Sequence, residues 1–108
     1  MVSLPGIVPG VGLPETMPGN ETIYYLYVVR VARRDEVLKK LQDAGIGAGV
    51  HYPVPIHLAP AFAGLGHAEG SFPVAERHAD QLLSLPIFAE ITPEQQQRVV
   101  GTLKAALR

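Results

Sequence analysis

Glycine and proline divide this sequence into two breaker-rich stretches and two stretches that can form regular secondary structure. The first breaker-rich stretch is residues 1–21, and the second is residues 53–70. Proline lacks a backbone donor and glycine costs conformational entropy, so neither stretch is expected to form a long helix or an inner strand. Regular elements are therefore predicted in residues 22–52 and 71–108, with one helical turn at Leu58–Phe62 inside the long loop.

The first regular stretch has the patterns of a strand, a helix and a second strand. Residues Thr22–Val31 are rich in β-branched and aromatic residues, which predicts a strand that is central in its sheet or covered on both faces. Apolar residues recur at helical spacing in Arg34–Ala44, which predicts a helix that ends at Gly45. A short second strand is predicted at Ile46–Tyr52, where glycines leave one edge of the backbone bare.

The second regular stretch predicts two helices separated by a short extended piece. Pro73–Ser84 has a proline at its first position and an apolar stripe, and Leu85–Phe88 contains a proline typical of an edge strand. The sequence Thr92–Gln95 is a capping box, which predicts the start of the last helix. The order β-α-β-loop-α-β-α predicts the α/β fold class, as a small two-layer domain with helices on one face of a short sheet.

Composition limits the classes of function that are open to this chain. Its 108 residues suffice for one domain, and its net charge of −1 argues against a nucleic-acid partner, which requires concentrated positive charge. The absence of cysteine excludes disulfides, iron–sulfur clusters and thiolate zinc sites. Since no apolar run approaches the roughly 20 residues of a membrane span and no basic n-region opens the chain, we predict a cytoplasmic protein without membrane contact.

The glycine- and proline-rich start, residues 1–21, is apolar between its turns, which is unusual for a solvated tail. Two interpretations remain open. In one, the segment is a linker that packs loosely on the domain; in the other, it lies against protein that is absent from this chain. In either case we divide the chain into an extended linker at residues 1–21 and a domain at residues 22–108.

Histidine is the side chain that most invites a metal hypothesis here. The four histidines are His51, His57, His67 and His78. A zinc site needs three or four converging ligands, usually with a close pair on a rigid element, whereas two prolines separate His51 from His57 and the other two lie on different elements. We therefore predict no metal site, and we expect His78, in the helix stripe, to be a core or boundary residue.

Patterns for covalent and nucleotide chemistry are also missing from the sequence. No serine lies in a Gly-x-Ser-x-Gly elbow, no loop pairs two carboxylates, and no Walker lysine occurs. A Schiff-base lysine needs a desolvated pocket that lowers its pKa. All three lysines instead fall on predicted outer helix faces: Lys39, Lys40 and Lys104.

The candidate binding segment is Val50–His57, with the sequence VHYPVPIH. His51 and Tyr52 end the second predicted strand, and the two prolines that follow hold the exit rigid. An imidazole and a phenol can donate hydrogen bonds to a phosphate or a sugar hydroxyl. From the residues alone, the alternative is that these polar groups only cap loop carbonyls.

Six short motifs, taken in order, resemble one known family. They are Tyr24–Val29, Arg34–Val37, Ala44–Gly47, Val50–His57, Phe72–Glu76 and Leu83–Ile87. Together they resemble the C-terminal region of sugar aminotransferases of the DegT/DnrJ/EryC1/StrS family, from about Thr22 to the end of the chain. The last three motifs are specific as a set.

The resemblance implies the aspartate-aminotransferase type of fold, in which a large pyridoxal-phosphate domain is joined to a small C-terminal α/β domain, usually in homodimers. Such enzymes move an amino group from an amino acid, typically glutamate, to a keto sugar carried on a nucleotide diphosphate. Their Schiff-base lysine lies upstream in the large domain and has no counterpart in this chain. The resemblance therefore implies a small domain that helps close the cleft and is inactive without its large domain.

The resemblance also implies which residues contact substrate. His51 and Tyr52 match a pair that ends a strand facing the cleft, near the nucleotide-diphosphate part of the substrate, so we predict both as substrate-binding. We predict no catalytic, cofactor-binding or metal-binding residue. Residues 1–21 match the exit from the interdomain helix and would pack on the large domain. Two other functions stay open: a free-standing ligand-binding or regulatory α/β module, and a fragment with a structural or dimer-forming role.

Overall fold

A computed structural model describes residues 8–108, and within them the chain forms two strands, three α-helices and two short 3₁₀ helices. In chain order the strands and α-helices are β1 Tyr27–Arg30, α1 Arg34–Asp43, α2 Pro73–Gln81, β2 Leu82–Leu85 and α3 Pro93–Ala106. The 3₁₀ helices, Ile56–Leu58 and Pro60–Leu65, lie in the long loop between α1 and α2.

The sheet is built on an antiparallel pair, β1 and β2, in which Val28 lies opposite Ser84. Single bridges widen it on both sides. Gly12 and Arg30 exchange two backbone hydrogen bonds of 2.8 and 2.9 Å on the outer edge of β1, and Gly49 and Ser84 exchange two of 3.1 and 2.8 Å on the outer edge of β2. Four chain segments thus lie side by side, with β1 and β2 in the centre.

The core lies on one face of this sheet. Because side chains alternate along a strand, Val29 and its partner Leu83 point to the same face, where α1 and α3 cover them. Both are fully buried, as are Val37 and Leu41 of α1 and Leu103 of α3. The other face of the pair carries a half-buried Val28 and an exposed Arg30. Helices on one face of a short sheet are the predicted architecture, and this prediction is confirmed.

A buried arginine fixes the junction between α2 and β2. Arg34, at the start of α1, donates from Nη1 to the carbonyl oxygens of Ala79 at 2.8 Å and Leu82 at 2.9 Å, and from Nε to Asp35 at 2.7 Å. A buried charge is costly unless hydrogen bonds satisfy it. The two bonds to Ala79 and Leu82 therefore set where α2 ends and where β2 begins.

The first strand is shorter than the predicted Thr22–Val31. Tyr24 adopts a φ of 50°, in the left-handed region that interrupts an extended run, and the side chain of Tyr25 is exposed. Of the two alternatives for this strand, the central position in the sheet is correct. Coverage on both faces is wrong within the described residues, since Arg30 lies exposed.

The predicted second strand, Ile46–Tyr52, is reduced to the single bridge at Gly49. The N–H of Ile46 donates to the Leu41 carbonyl at the end of α1, and the N–H of Ala48 donates to the Ile46 carbonyl. These local bonds remove the donors that a strand would use. The strand prediction was wrong for this reason, although the segment does lie beside β2 at Gly49.

In the second half of the chain, some predicted element boundaries agree with the structure and others differ from it. The predicted helix Pro73–Ser84 ends at Gln81, because residues 82–85 pair with β1. The extended piece predicted at Leu85–Phe88 therefore lies three residues earlier, at Leu82–Leu85. The capping box at Thr92 is confirmed: Thr92 Oγ1 accepts from the Gln95 N–H at 3.2 Å, and Gln95 Oε1 accepts from the Thr92 N–H at 2.9 Å. The expected helical turn at Leu58–Phe62 is two 3₁₀ helices instead.

The described part of the N-terminal segment divides into two halves. Val8 is buried against Val100 of α3, with Val11 and Leu107 around them. Residues 14–24 are exposed. The earlier part of this segment, residues 1–7, lies outside the described residues. Among residues 8–108, no helix is both long enough and apolar enough to cross a membrane.

Candidate functional site

His51 lies against the sheet face that α1 and α3 leave uncovered. It follows the Gly49 bridge by two residues, and its Nδ1 forms a 2.9 Å hydrogen bond with the Oγ of Ser84 on β2. Ser84 alternates with the core residues Leu83 and Leu85 and therefore points to the opposite face, where it is nevertheless buried. The hydrogen bond fixes the imidazole ring, and within residues 8–108 the opposite ring nitrogen, Nε2, makes no hydrogen bond.

Tyr52 projects beside His51 into solvent. Its side chain is 73% exposed, and its ring meets the His51 ring edge to face at 5.5 Å and 84°. In the part of the chain that the structure describes, neither side chain donates to a loop carbonyl. The geometry therefore brings the two predicted site residues together and does not support the alternative that they cap the loop.

A shallow groove of about 330 Å³ opens next to His51 and runs along the edge of β2. Gly47 and Gly49 leave its floor bare: a Cβ added at Gly47 would meet no atom within 4 Å, and one at Gly49 would lie 3.5 Å from His51 Cε1. Tyr25 and Phe88 line the far end. The bare backbone edge that the sequence predicted is thus beside the candidate site.

A second cluster lies at the other end of the Val50–His57 segment, and we call it the Glu76 cluster: Glu76, His57, Phe72 and Gly70. Glu76, in the first turn of α2, accepts hydrogen bonds from the N–H of Gly70 at 2.7 Å and of Phe72 at 3.0 Å. His57 is buried, with Nε2 3.3 Å from Glu76 Oε2 and its ring edge-on to Phe72 at 4.8 Å. One carboxylate therefore contacts both the middle of the loop between α1 and α2, at His57, and its C-terminal end, at Gly70 and Phe72.

The electrostatics of the Glu76 cluster favour an ionised carboxylate. The backbone N–H of Gly70, followed by that of Phe72 and the nearby His57, holds the pKa of Glu76 below its usual value. The His57 N–H is within ion-pair distance of the carboxylate but is not aligned for a hydrogen bond, and Nε2 has no other partner in the described residues. Glu76 therefore lies beside that buried nitrogen without forming a hydrogen bond to it.

In the described residues, neither of the remaining histidines forms a hydrogen bond with His51, Tyr52, His57 or Glu76. His67 is exposed and packs edge-on to Phe72 at 5.0 Å, and His78 is half-buried on α2, at the boundary position predicted for it. Across residues 8–108, no three His, Cys, Asp or Glu side chains are grouped so that they could hold a metal ion.

The lysines lie on the surface, as predicted from their helix faces. Lys39 Nζ donates to Asp43 Oδ2 at 2.8 Å, and Lys40 Nζ lies 3.1 Å from Glu36 Oε1. Hydrogen bonding to Asp43 raises the pKa of Lys39. A lysine that forms a Schiff base needs burial and a lowered pKa, so these residues do not fit a covalent carrier of pyridoxal phosphate.

The described residues expose many large apolar side chains. From Tyr52 onward, most of these exposed side chains lie on the loop between α1 and α2, or at its junction with α2. They are Tyr52, Val54, Ile56, Phe62, Leu65, Phe72 and Val74. Large contiguous apolar patches are uncommon on monomeric proteins and mark surfaces that another part or partner covers.

Comparison with known proteins identifies the family. The model of the DegT/DnrJ/EryC1/StrS aminotransferase family matches residues 4–104. The chain belongs to this family. It is similar to the erythromycin biosynthesis sensory transduction protein EryC1 of Saccharopolyspora erythraea, with 48% identity over 91% of this chain and 27% of that protein.

A second relative and a solved structure give the same result. The dTDP-3-amino-3,4,6-trideoxy-alpha-D-glucose transaminase of Streptomyces venezuelae is 45% identical over 90% of this chain and 26% of its own length. The crystal structure of S. venezuelae DesV superposes with a TM-score of 0.88 at 44% identity, over 95% of this chain and 28% of that one. The chain thus spans about a quarter of the length of the relatives it matches.

Sequence reasoning missed three residues that shape the site. Ser84 was visible as a lone polar residue within the apolar run LLSLP, and Glu76 as an acidic residue near the start of a predicted helix. Neither pattern names the residue that it contacts. The buried role of Arg34 had no signal, since its partners are backbone carbonyls 45 and 48 positions away.

Proposed function

We propose that this chain forms the C-terminal small domain of a pyridoxal-phosphate-dependent nucleotide-sugar aminotransferase. Such an enzyme moves an amino group from an amino acid such as glutamate to a keto sugar carried on a nucleotide diphosphate. The observation that carries the proposal is the superposition on DesV, which includes nearly all of this chain but little more than a quarter of the larger one. The relative from S. venezuelae is itself named a transaminase of a dTDP-linked sugar.

In this proposal His51 and Tyr52 bind the nucleotide-diphosphate sugar. When the Ser84 hydroxyl donates to Nδ1, the neutral ring of His51 carries its proton on Nε2, and that N–H faces outward as a donor. The Tyr52 hydroxyl is a second donor on the same exposed surface. Two oriented donors beside a bare backbone edge suit the oxygens of a phosphate or a sugar. Their role is to bind and orient the substrate.

The cofactor chemistry is proposed to come from a large domain that this chain does not include. Pyridoxal phosphate, when bound there, supplies the electron sink for amino transfer. The three lysines of this chain lie on the surface, and one of them has a raised pKa, so we assign no cofactor contact to its residues. Alone, the chain is therefore proposed to be inactive in transamination.

The large domain, and a second subunit in a homodimer, are the proposed partners. The exposed apolar side chains of the loop between α1 and α2 support this proposal, since exposed apolar surface is typical of contact with another domain. Tyr52 and Val54 belong both to this apolar surface and to the Val50–His57 segment. A domain that covers this surface would also close water out of the substrate cleft.

A domain exchange tests the proposal. The matching C-terminal quarter of the S. venezuelae transaminase would be replaced by this chain, and amino transfer to its dTDP-linked sugar would be measured. We expect the chimera to be active, and we expect His51→Ala to raise its KM for the sugar nucleotide about tenfold. The matched control is His78→Ala, which removes an imidazole from α2, away from the site.

Two results would contradict the proposal: one would reject the domain assignment, and the other would reject the role of His51. A chimera that folds and binds pyridoxal phosphate but transfers no amino group would reject the assignment as the small domain. An active chimera in which His51→Ala and His78→Ala have the same KM would leave the domain assignment standing and remove His51 from the substrate site.

A further inference from the structure

The segment between the two clusters has almost no hydrogen bonds of its own. In the described residues, none of the backbone N–H groups of residues 50–56 donates to another backbone group, and Pro53 and Pro55 have none to donate. The side chains of Tyr52, Val54 and Ile56 are all more than half exposed. The path of this segment is therefore determined by what holds its two ends.

The front end is held by β2. Gly49 pairs with the backbone of Ser84, and His51 Nδ1 bonds to the hydroxyl of the same residue. The rear end is held by His57, which is buried in the Glu76 cluster against Phe72. Tyr52 lies between these two attachments, next to the front one.

Glu76 is the residue on which the rear attachment depends. Its two carboxylate oxygens accept from the N–H groups of Gly70 and Phe72, and Oε2 also faces the buried Nε2 of His57. A glutamine at this position would keep the size of the side chain but present an NH₂ group to at least one of these N–H donors. The glutamine would therefore break at least one of these two hydrogen bonds and remove the negative charge beside His57, so the loop would be held less firmly.

We infer that Glu76 is a positioning residue for substrate binding: through His57 it holds the rear end of the Val50–His57 segment, and so fixes Tyr52 and His51 toward the substrate. This inference rests on the proposed function and adds to it a residue that does not touch substrate. The same carboxylate also holds Gly70 and Phe72, so one side chain at the start of α2 joins the middle of the loop to its C-terminal end.

The first test measures the order of the segment in the 108-residue chain by ¹⁵N relaxation. We expect backbone order parameters near 0.85 for Tyr52, Val54 and Ile56, falling below about 0.6 in Glu76→Gln and in His57→Leu. His57→Gln, which keeps a donor toward Glu76, is expected to stay within 0.1 of the original values. The matched control is Glu94→Gln, which makes the same change in the first turn of α3.

The second test measures kinetics in the domain-exchange chimera. Glu76→Gln is expected to raise KM for the dTDP-linked sugar about tenfold and to change kcat less than twofold, because binding is affected and chemistry is not. His57→Gln, which keeps a donor toward Glu76, is expected to leave KM within threefold of the value for the unsubstituted chimera. Glu94→Gln is expected to leave both constants unchanged.

The outcomes separate this inference from the proposed function. Unchanged order parameters in Glu76→Gln would overturn the inference, and so would an equal loss of order in the core strands β1 and β2, which would mean a general structural role. A loosened segment with unchanged KM would also overturn it. If the chimera itself is inactive, the proposed function fails, while the relaxation experiment still decides whether Glu76 holds the segment.

Discussion

The two faces of the β1–β2 pair differ in how completely this chain closes them. On one face, α1 and α3 bury Val29, Leu83 and Leu103 completely. On the other, Ser84 forms a hydrogen bond with His51, Arg30 is exposed, and the neighbouring loop has large exposed apolar side chains. The closed face accounts for why the domain folds. The open face is where the candidate site lies, and the predictions below test this division.

The largest expected effect is on the closed face. Leu103→Ala should lower the free energy of unfolding by about 2–5 kcal/mol, because it removes a fully buried side chain and leaves a cavity. Ile56→Ala, in the loop between α1 and α2 and 74% exposed, should change it by less than about 0.5 kcal/mol. Urea denaturation of the chain measures both. Equal losses at the two positions would mean that the division between the faces is wrong.

The Arg34→Ala variant tests whether the junction between α2 and β2 depends on the buried charge of Arg34. Arg34→Ala should cost roughly 1–3 kcal/mol, because the carbonyls of Ala79 and Leu82 lose their donors. Arg98, which donates to the Ala44 carbonyl at 2.7 Å from an exposed position, is the matched control, and its replacement by alanine should cost less than about 1 kcal/mol. If the two variants unfold at the same urea concentration, Arg34 does not define the α2–β2 junction.

The capping box at the start of α3 should have a smaller effect. Thr92→Ala removes the acceptor of the Gln95 N–H and should destabilise the chain by about 1 kcal/mol. Thr102→Ala makes the same change inside the helix, where alanine is the better helix former, and should be close to neutral. Thermal unfolding of both variants measures the difference. A cost at Thr102 equal to that at Thr92 would argue against a specific cap.

The smallest expected effect is on the pH dependence of the stability that Glu76 contributes. The pKa of Glu76 is lowered in the folded chain, so its contribution to stability is present above the unfolded value of about 4.5 and is lost as the pH falls through the folded value. Glu76→Gln should therefore make the urea midpoint fall less between pH 7 and pH 4. Glu94→Gln should leave that fall unchanged, and an unchanged fall in Glu76→Gln would contradict the direction of the shift.

Local signals predicted the closed face better than the open one. The capping box at Thr92 and the apolar stripe of α1 are local patterns, and both gave the correct helices. The strand predicted at Ile46–Tyr52 failed because its donors bond to the end of α1 and to the segment itself, which the pattern of residue types does not reveal. Residue types indicate which secondary structure a segment prefers, but they do not indicate which acceptors its backbone N–H groups will find in the folded chain.

For the candidate site, sequence motifs identified His51 and Tyr52 but not what supports them. Ser84 lies 33 positions from His51, and Glu76 lies 19 positions from His57. These contacts depend on the register of β2 and on the path of a long loop, which no local pattern determines. The supporting residues therefore became visible only in the folded chain.

The most direct test of the central claim compares two proteins in one assay. Amino transfer to a dTDP-linked sugar would be measured for the 108-residue chain alone and for the chimera in which it replaces the C-terminal quarter of the S. venezuelae transaminase. We expect turnover by the chimera and none by the chain alone. Turnover by the chain alone, at a rate comparable to that of the chimera, would contradict it.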